Sequence, residues 1–144
     1  MEIQTSSFGT QVINEDDILT FPQGLIGFED QTQFKLFHEE HNSPTVYWLQ
    51  SVTDPKLAMS VVSPAVFGLA YEIAMDDNEQ ALLELTDPAD AIVLLVVYKQ
   101  HEETSPDNVD IKAITRAPIV LNSQSKKGVQ LSITHPNIKR LSIA

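Results

Sequence analysis

The chain has 144 residues, a formal net charge of −11 and a hydrophobic fraction of 42%. This length suits one domain with its own core, so we predict a single domain over residues 1–144. The absence of cysteine excludes disulfides, thiolate zinc sites, iron–sulfur clusters and a cysteine nucleophile. The N-terminus carries no signal-peptide pattern, and the longest apolar run, residues 91–98, is far shorter than the ~20 residues of a membrane helix. We therefore expect a cytoplasmic protein with no membrane partner and no cofactor.

Charge is distributed unevenly along the chain. All twenty acidic residues lie within residues 1–110, whereas residues 111–144 contain basic residues and no acid. A net-negative protein repels phosphate backbones, so direct binding of nucleic acid is not expected. The acidic part would instead attract a basic protein partner. Solubility alone is the other explanation of the acidic excess, and the composition leaves both explanations open.

Short apolar runs separated by eight prolines predict a mainly β fold, either a sandwich or a barrel. Residues 46–62 are predicted to form a hairpin around the turn at 53–56, and residues 119–133 a second hairpin around 122–128. The continuously apolar residues 91–98 predict a strand that is buried on both faces. Further strands are predicted over residues 33–38, 71–75 and 110–114.

Helix is predicted in only one or two short segments. The first covers about residues 78–85, with Asp77 as its N-cap and Gln80 at the spacing of a capping box. Leu82 and Leu85 would share its apolar face. A half-turn is possible at residues 15–17, and the polar residues 101–108 predict an exposed loop.

The sequence contains no recognisable catalytic or metal-binding motif. His38 and His41 are three residues apart beside a predicted strand, whereas a zinc protease motif needs two histidines at i and i+4 on a helix. Acidic residues occur in adjacent pairs, which point to opposite faces of a strand and do not supply two converging carboxylates. Nucleophilic-serine and phosphate-loop motifs are also absent from the sequence. We therefore predict that the protein is not an enzyme.

Residues 21–29 form the most unusual segment, Phe-Pro-Gln-Gly-Leu-Ile-Gly-Phe-Glu. Gly24 and Gly27 can adopt positive φ angles, and together with Pro22 they predict a constrained loop. Apolar side chains in such a loop either fill the core or form an exposed adhesive patch. Three interpretations stay open at this point: a core-filling loop, a surface that binds a partner, and a loop that does both.

The order and spacing of several segments resemble the FliW family of flagellar assembly factors. The resemblance covers nearly the whole chain and rests first on the segment at 21–29. It also rests on Trp-Leu-Gln-Ser at 48–51, Val-Val-Ser-Pro at 61–64, Asp-Pro-Ala-Asp at 87–90, Ala-Pro-Ile-Val-Leu-Asn at 117–122 and Gly-Val-Gln at 128–130. The resemblance implies a small, single-domain, β-barrel-like fold with one or two short helices.

The same resemblance implies a role in partner switching. A protein of this family would bind flagellin in the cytoplasm and, when free, would bind and antagonise CsrA, a dimeric RNA-binding repressor of flagellin translation. Antagonism could act at the RNA site or from elsewhere on the repressor; the resemblance favours the second mode. The expected partner-binding residues are Phe21, Pro22, Gly24, Leu25, Gly27, Phe28, Glu29, Trp48 and Gln50.

We expect the two partners to use different chemistry. Amphipathic flagellin helices would suit an apolar groove, for which Phe21, Leu25, Phe28 and Trp48 are candidates. CsrA would face the acidic surface. Two alternative functions are a small acidic hydrolase with a carboxylate site and a generic acidic chaperone of low selectivity.

Overall fold

The computed structural model describes residues 1–38, 46–102, 105–134 and 136–140, and most of them lie in β-strands. The α-helix α1 spans Asp77–Leu83, and three short 3-10 helices span Glu15–Asp17, Pro64–Phe67 and Pro88–Asp90. The strands are β1 (Glu2–Thr5), β2 (Gly9–Val12), β3 (Leu19–Thr20), β4 (Gln33–His38), β5 (Tyr47–Ser51), β6 (Ala58–Val62), β7 (Leu69–Glu72), β8 (Ala91–Glu102), β9 (Ser105–Ala113), β10 (Ile119–Asn122), β11 (Gly128–Gln130) and β12 (Asn137–Arg140). The predicted mainly β fold class is confirmed.

One curled antiparallel sheet forms the body of the molecule. Its strand order is β11-β10-β8-β6-β5-β4-β3, and β9 pairs with the distal part of β8. The two ends of this order meet where the N–H of Thr20 donates to the carbonyl of Lys126 at 2.8 Å, beside a parallel bridge between Thr20 and Lys127. This contact gives the sheet its barrel-like curvature. Two smaller sheets, β1-β2 and β7-β12, complete the strand pairing.

The two faces of the sheet support two separate clusters of buried side chains. The larger cluster includes Phe21, Phe34 and Leu49, and the smaller one is built around Leu83 and Val120. Strand β8 contributes to both, because alternate side chains of a strand point to opposite faces. Burial on both faces, predicted for residues 91–98, holds at the centre of the strand. It fails towards the ends, where Ile92 is 44% and Tyr98 50% exposed.

Both predicted hairpins are present. Strands β5 and β6 pair antiparallel around the turn at 53–56, and β10 and β11 pair around 122–128. The predicted half-turn at residues 15–17 is a 3-10 helix capped by Asn14. The strand at 33–38 is β4, whereas the strand predicted at 71–75 begins earlier and ends at Glu72.

The predicted helix cap was wrong by one residue. Helix α1 begins at Asp77, and its N-cap is Asp76, whose side chain accepts the N–H of Glu79 at 2.7 Å. The Glu79 side chain in turn accepts the N–H of Asp76, so Glu79 takes the capping-box position that we predicted for Gln80. The helix ends at Leu83 rather than Leu85, because Glu84 adopts a left-handed conformation with φ of 54°.

The exposed loop predicted at residues 101–108 was also wrong for the residues described. Strand β8 continues to Glu102 and β9 begins at Ser105, with Gln100 opposite Asp110. Residues 103 and 104 lie outside the described ranges, as does His41 of the histidine pair considered above. Polar residues can extend a hairpin in this way because the ladder between strands is made by backbone groups, which every residue except proline supplies in full.

Candidate functional site

Residues 21–29, which we call the 21–29 loop, follow strand β3 and fold back on themselves. The N–H of Phe21 donates to the carbonyl of Thr32 at 2.7 Å, which fixes the base of the loop. At its tip Leu25 and Phe28 exchange two backbone hydrogen bonds, 3.3 Å from the N–H of Leu25 and 2.8 Å from the N–H of Phe28. The loop is therefore an ordered turn whose side-chain directions are defined.

Two glycines make this turn possible. Gly24 and Gly27 have φ angles of +68° and +86°, a region that residues with a Cβ atom rarely adopt. A Cβ atom on Gly24 would lie 2.6 Å from the Cα of Glu29, whereas one on Gly27 would meet nothing within 4 Å. Gly24 is thus required both by conformation and by close packing of the backbone, and Gly27 by conformation alone.

The base of the loop fills the core. Phe21 and Leu25 are 0% and 1% exposed. The Phe21 ring packs edge-on against Phe34 with centroids 5.4 Å apart, and a Cβ atom on Gly128 would come within 2.6 Å of it. Phe21 therefore offers no surface to a partner, and Leu25 offers almost none.

The tip of the loop faces outward. Ile26 is 53% and Phe28 41% exposed, and Pro22, Gly27 and Glu29 are exposed beside them. The structure shows that the base of the loop fills the core and that its tip is an exposed apolar patch, whereas partner binding by the tip stays a prediction.

A cleft of about 240 Å³ opens between the loop and strand β11. The N–H of Ile26 donates to Oε1 of Gln130 at 2.9 Å and ties the two walls together. On the loop side, the N–H of Gly27 donates to Oε1 of Glu29 at 3.1 Å. The cleft is lined by Gln23, Gly24, Leu25, Ile26, Glu29, Val129 and Gln130.

Trp48 lies on the face of the β4-β5 pair that carries the N-terminal hairpin, not on the face that meets the loop. Leu49, its neighbour in β5, belongs to the same cluster as Phe21, and alternation along the strand turns Trp48 to the opposite face. There Phe8, between β1 and β2, packs against Trp48 and Phe37 with centroid distances of 5.6 and 5.4 Å. The groove predicted from Phe21, Leu25, Phe28 and Trp48 is therefore not formed.

Gln50 is completely buried and organises the neighbouring turn. Its Nε2 donates to the carbonyls of Ser51, Asp54 and Leu57 at 3.0, 3.2 and 3.2 Å, with Pro55 at 3.4 Å. Its Oε1 has no hydrogen-bond partner among the described residues. These hydrogen bonds give Gln50 a structural role in the turn at 53–56.

The contact between the 21–29 loop and Gln130 was not predicted from the sequence. Gln130 lies 104 residues from Ile26 in the chain and meets it only because the ends of the curled sheet approach one another. The Gly-Val-Gln segment at 128–130 was singled out by resemblance, but its contact with the loop carries no local sequence signal. Ile26, the most exposed apolar residue of the tip, was also absent from the predicted site.

Outside the cleft, the described residues offer little further chemistry. Within the described ranges, no group of three histidine, aspartate or glutamate side chains could hold a metal ion. Burial raises the pKa of Tyr71, whose hydroxyl donates to the carbonyl of Thr115 at 2.7 Å and so links β7 to the segment after β9. None of the helices in the described ranges has the length and apolar content that a bilayer crossing requires.

Comparison with known proteins identifies the family. The family described as FliW protein matches residues 2–141. The chain belongs to the FliW family. The flagellar assembly factor FliW of Azoarcus sp. strain BH72 is 39% identical over 130 residues, which cover 90% of this chain and 89% of that protein. FliW of Chromobacterium violaceum is 34% identical over 134 residues, with 90% and 91% coverage.

A solved FliW structure has the same fold. A crystal structure of the flagellar assembly factor FliW matches with a TM-score of 0.78 and 33% identity, covering 97% of this chain and 94% of that one. The resemblance deduced from the sequence and the barrel-like fold that it implied are both confirmed.

Several FliW-like segments turn out to shape the fold. Asp87, the first residue of Asp-Pro-Ala-Asp, caps a 3-10 helix by accepting the N–H of Ala89 at 3.0 Å. Asn122 closes the turn before β11, since its Oδ1 accepts the N–H of Gln124 and its Nδ2 donates to the carbonyl of Leu83, both at 2.9 Å. At the tip of the 21–29 loop, by contrast, the apolar side chains of Ile26 and Phe28 are 53% and 41% exposed.

Proposed function

We propose that this protein is a flagellar assembly factor that binds flagellin in the cytoplasm. When free of flagellin, it binds and antagonises CsrA and thereby relieves repression of flagellin synthesis. The observation that carries the proposal is the match to a FliW structure over 97% of the chain at 33% identity. The relatives that match over most of their length share the name flagellar assembly factor.

The 21–29 loop supports a role in protein binding. Ile26 and Phe28 expose apolar side chains on a turn that is held by backbone hydrogen bonds and by Gln130. Rigid, exposed apolar residues are suited to a protein interface because little conformational entropy is lost when they are buried. Of the residues predicted from the sequence, we assign partner contact to Pro22, Phe28 and Glu29 and a supporting role to Gly24 and Gly27.

The charge of the protein supports a basic partner. A repressor that binds RNA must present positive charge to phosphates, and the net charge of −11 favours its approach. Antagonism requires only that the repressor lose RNA when bound, and the acidic surface provides the attraction for this complex. CsrA is thus the partner whose binding should depend most on salt.

The cleft offers no support for the alternative of an acidic hydrolase. General acid–base hydrolysis of a glycoside uses two carboxylates about 5–10 Å apart. The cleft beside the 21–29 loop is lined by a single carboxylate, that of Glu29. A protein-binding function accounts better for an exposed apolar tip beside one acid.

Isothermal titration with CsrA and with flagellin, each from the source organism, tests the proposal. Both partners should bind saturably with micromolar or tighter affinity at low salt. Raising the salt from about 50 to 150 mM should weaken the CsrA complex several-fold, because the Debye length shortens to about 8 Å at physiological ionic strength. Flagellin, bound through apolar contacts, should respond less.

Failure of both titrations, with partners shown to be folded, would contradict the proposed function. Binding of CsrA that is indifferent to salt would contradict the electrostatic part and leave the pairing itself intact. An unrelated unfolded protein serves as a control, since comparable binding of it would point to the generic chaperone instead.

A further inference from the structure

The cleft beside the 21–29 loop has the size of a site for one side chain. Sites for drug-sized ligands and cofactors measure about 300–1,000 Å³, and this cleft measures about 240 Å³. It lies next to the exposed Ile26 and Phe28, so a protein that covers the tip would also cover the cleft. A side chain from that protein is therefore the occupant whose dimensions fit.

The walls of the cleft combine apolar surface with one carboxylate. Ile26 supplies the exposed apolar surface, the buried Leu25 and Val129 lie behind it, and Glu29 supplies the charge. The Glu29 carboxylate accepts one hydrogen bond, from Gly27, among the described residues, whereas a carboxylate has about four acceptor positions. Lys126 and Lys127 precede β11 in the chain, but neither lines the cleft.

This combination matches the side chain of lysine or arginine. Both have an apolar stem of several methylene groups that packs on hydrocarbon, and a cationic end that donates hydrogen bonds to carboxylates. An uncharged apolar side chain would leave the remaining acceptor positions of the Glu29 carboxylate unfilled. An acidic one would be repelled by it.

We infer that the cleft between the 21–29 loop and β11 receives a lysine or arginine side chain of the basic partner, CsrA, with the cation on Glu29 and the stem against Ile26. The inference rests on the proposed function for the identity of the partner. It assigns the loop to the repressor rather than to flagellin, in contrast to the expectation drawn from the apolar residues of the sequence.

The test is titration of CsrA and of flagellin into wild type, Glu29→Gln and Asp30→Asn. The glutamine keeps an oxygen that can accept the N–H of Gly27 and removes the charge. Asp30 is exposed, adjacent to Glu29 and outside the cleft, so Asp30→Asn makes the same change in net charge. We expect Glu29→Gln to weaken CsrA binding roughly tenfold, the effect of losing a hydrogen-bonded charge pair, and Asp30→Asn to weaken it less than twofold.

A second variant, Ile26→Ser, removes an apolar wall without changing charge and should weaken CsrA binding about fivefold. Circular dichroism and urea unfolding establish that each variant is folded. Equal effects of Glu29→Gln and Asp30→Asn, or a loss of flagellin binding with CsrA binding unchanged, would overturn the inference while wild-type binding upholds the proposed function. If wild type fails to bind CsrA at all, the proposed function is contradicted, and the inference falls with it.

Discussion

Gly24 lies where the backbone of the 21–29 loop passes closest to itself. Its φ of +68° costs a residue with a Cβ atom about 1–2 kcal/mol, and the Cβ would also collide with the backbone of Glu29. A backbone atom 2.6 Å away cannot move aside without distorting the turn between Leu25 and Phe28. The position of the exposed tip therefore depends on this residue.

We predict that Gly24→Ala lowers the free energy of unfolding by about 2–4 kcal/mol, from backbone strain together with overpacking. Gly27→Ala is the matched control, because it has a similar positive φ and open space around the added methyl group. It should lose only about 1–2 kcal/mol. Urea denaturation of both variants measures the difference, and equal losses would mean that the close approach at Gly24 is relieved at no cost.

At this scale the sequence predicted which residues form the loop but not which of them point inward. Phe21 and Phe28 are both aromatic residues of the same glycine- and proline-containing segment, yet one is buried and the other 41% exposed. The distinction arises from the turn at Leu25 and Phe28 and from contact with β11, and neither is encoded locally. Leu25→Asp, an obvious test of partner binding, would place a charge in the core and disrupt folding instead.

Helix α1 begins one residue earlier and ends two residues earlier than the sequence predicted. Asp76 and Asp77 are both competent N-caps, and Glu79 and Gln80 are both competent at the third helical position. The choice is made by packing, because α1 must place Leu83 in the core beneath the turn at 122–128. There the carbonyl of Leu83 accepts hydrogen bonds from Asn122 and from Ser125.

We predict that Asp76→Ala lowers the free energy of unfolding by about 1 kcal/mol, because both hydrogen bonds of the capping box are lost. Asp77→Ala should change it by less than about 0.5 kcal/mol, since alanine is favourable in a helix and Asp77 is exposed. Thermal or urea unfolding of the two variants distinguishes the caps. A larger loss for Asp77→Ala would contradict the assignment.

The hairpins were predicted more reliably because their signals are local. A proline-containing turn at 53–56 and a polar run that ends in glycine at 122–128 each separate two apolar segments. The β8-β9 hairpin escaped prediction because its connecting residues are polar and show no alternation of apolar residues. The length of the β8-β9 pairing is determined by hydrogen bonds between backbone groups. The periodicity of apolar residues does not indicate how far these hydrogen bonds extend.

At the scale of the whole molecule, closure of the sheet brings the candidate site together. The contact between Thr20 and Lys126 joins segments more than a hundred residues apart, and it places β11 beside the 21–29 loop. The sequence predicted a barrel or sandwich from strand spacing but could not predict this closure, since contacts of such separation leave no periodic trace. The residue pattern left a sandwich and a barrel open, and the resemblance to FliW implied the barrel-like fold.

Closure of the sheet also determines which side of the molecule carries the candidate site. The cleft and the apolar tip lie on one side of the 21–29 loop, and Trp48 lies beneath the N-terminal hairpin on the other face of the β4-β5 pair. A basic protein drawn by the net charge of −11 would meet an apolar patch with Glu29 and Asp30 beside it. In the proposed complex, the acidic residues of the whole chain would supply the long-range attraction, and the tip of the 21–29 loop would supply the short-range contact.

Release of RNA from CsrA is the most direct measurement of the central claim. Fluorescence anisotropy of a labelled flagellin-message leader bound to CsrA should fall as this protein is added, because the repressor gives up its RNA. Adding flagellin should then restore the anisotropy by withdrawing this protein from CsrA. Anisotropy that stays high at saturating concentrations of this protein, or that flagellin cannot restore, would contradict the proposed partner switch.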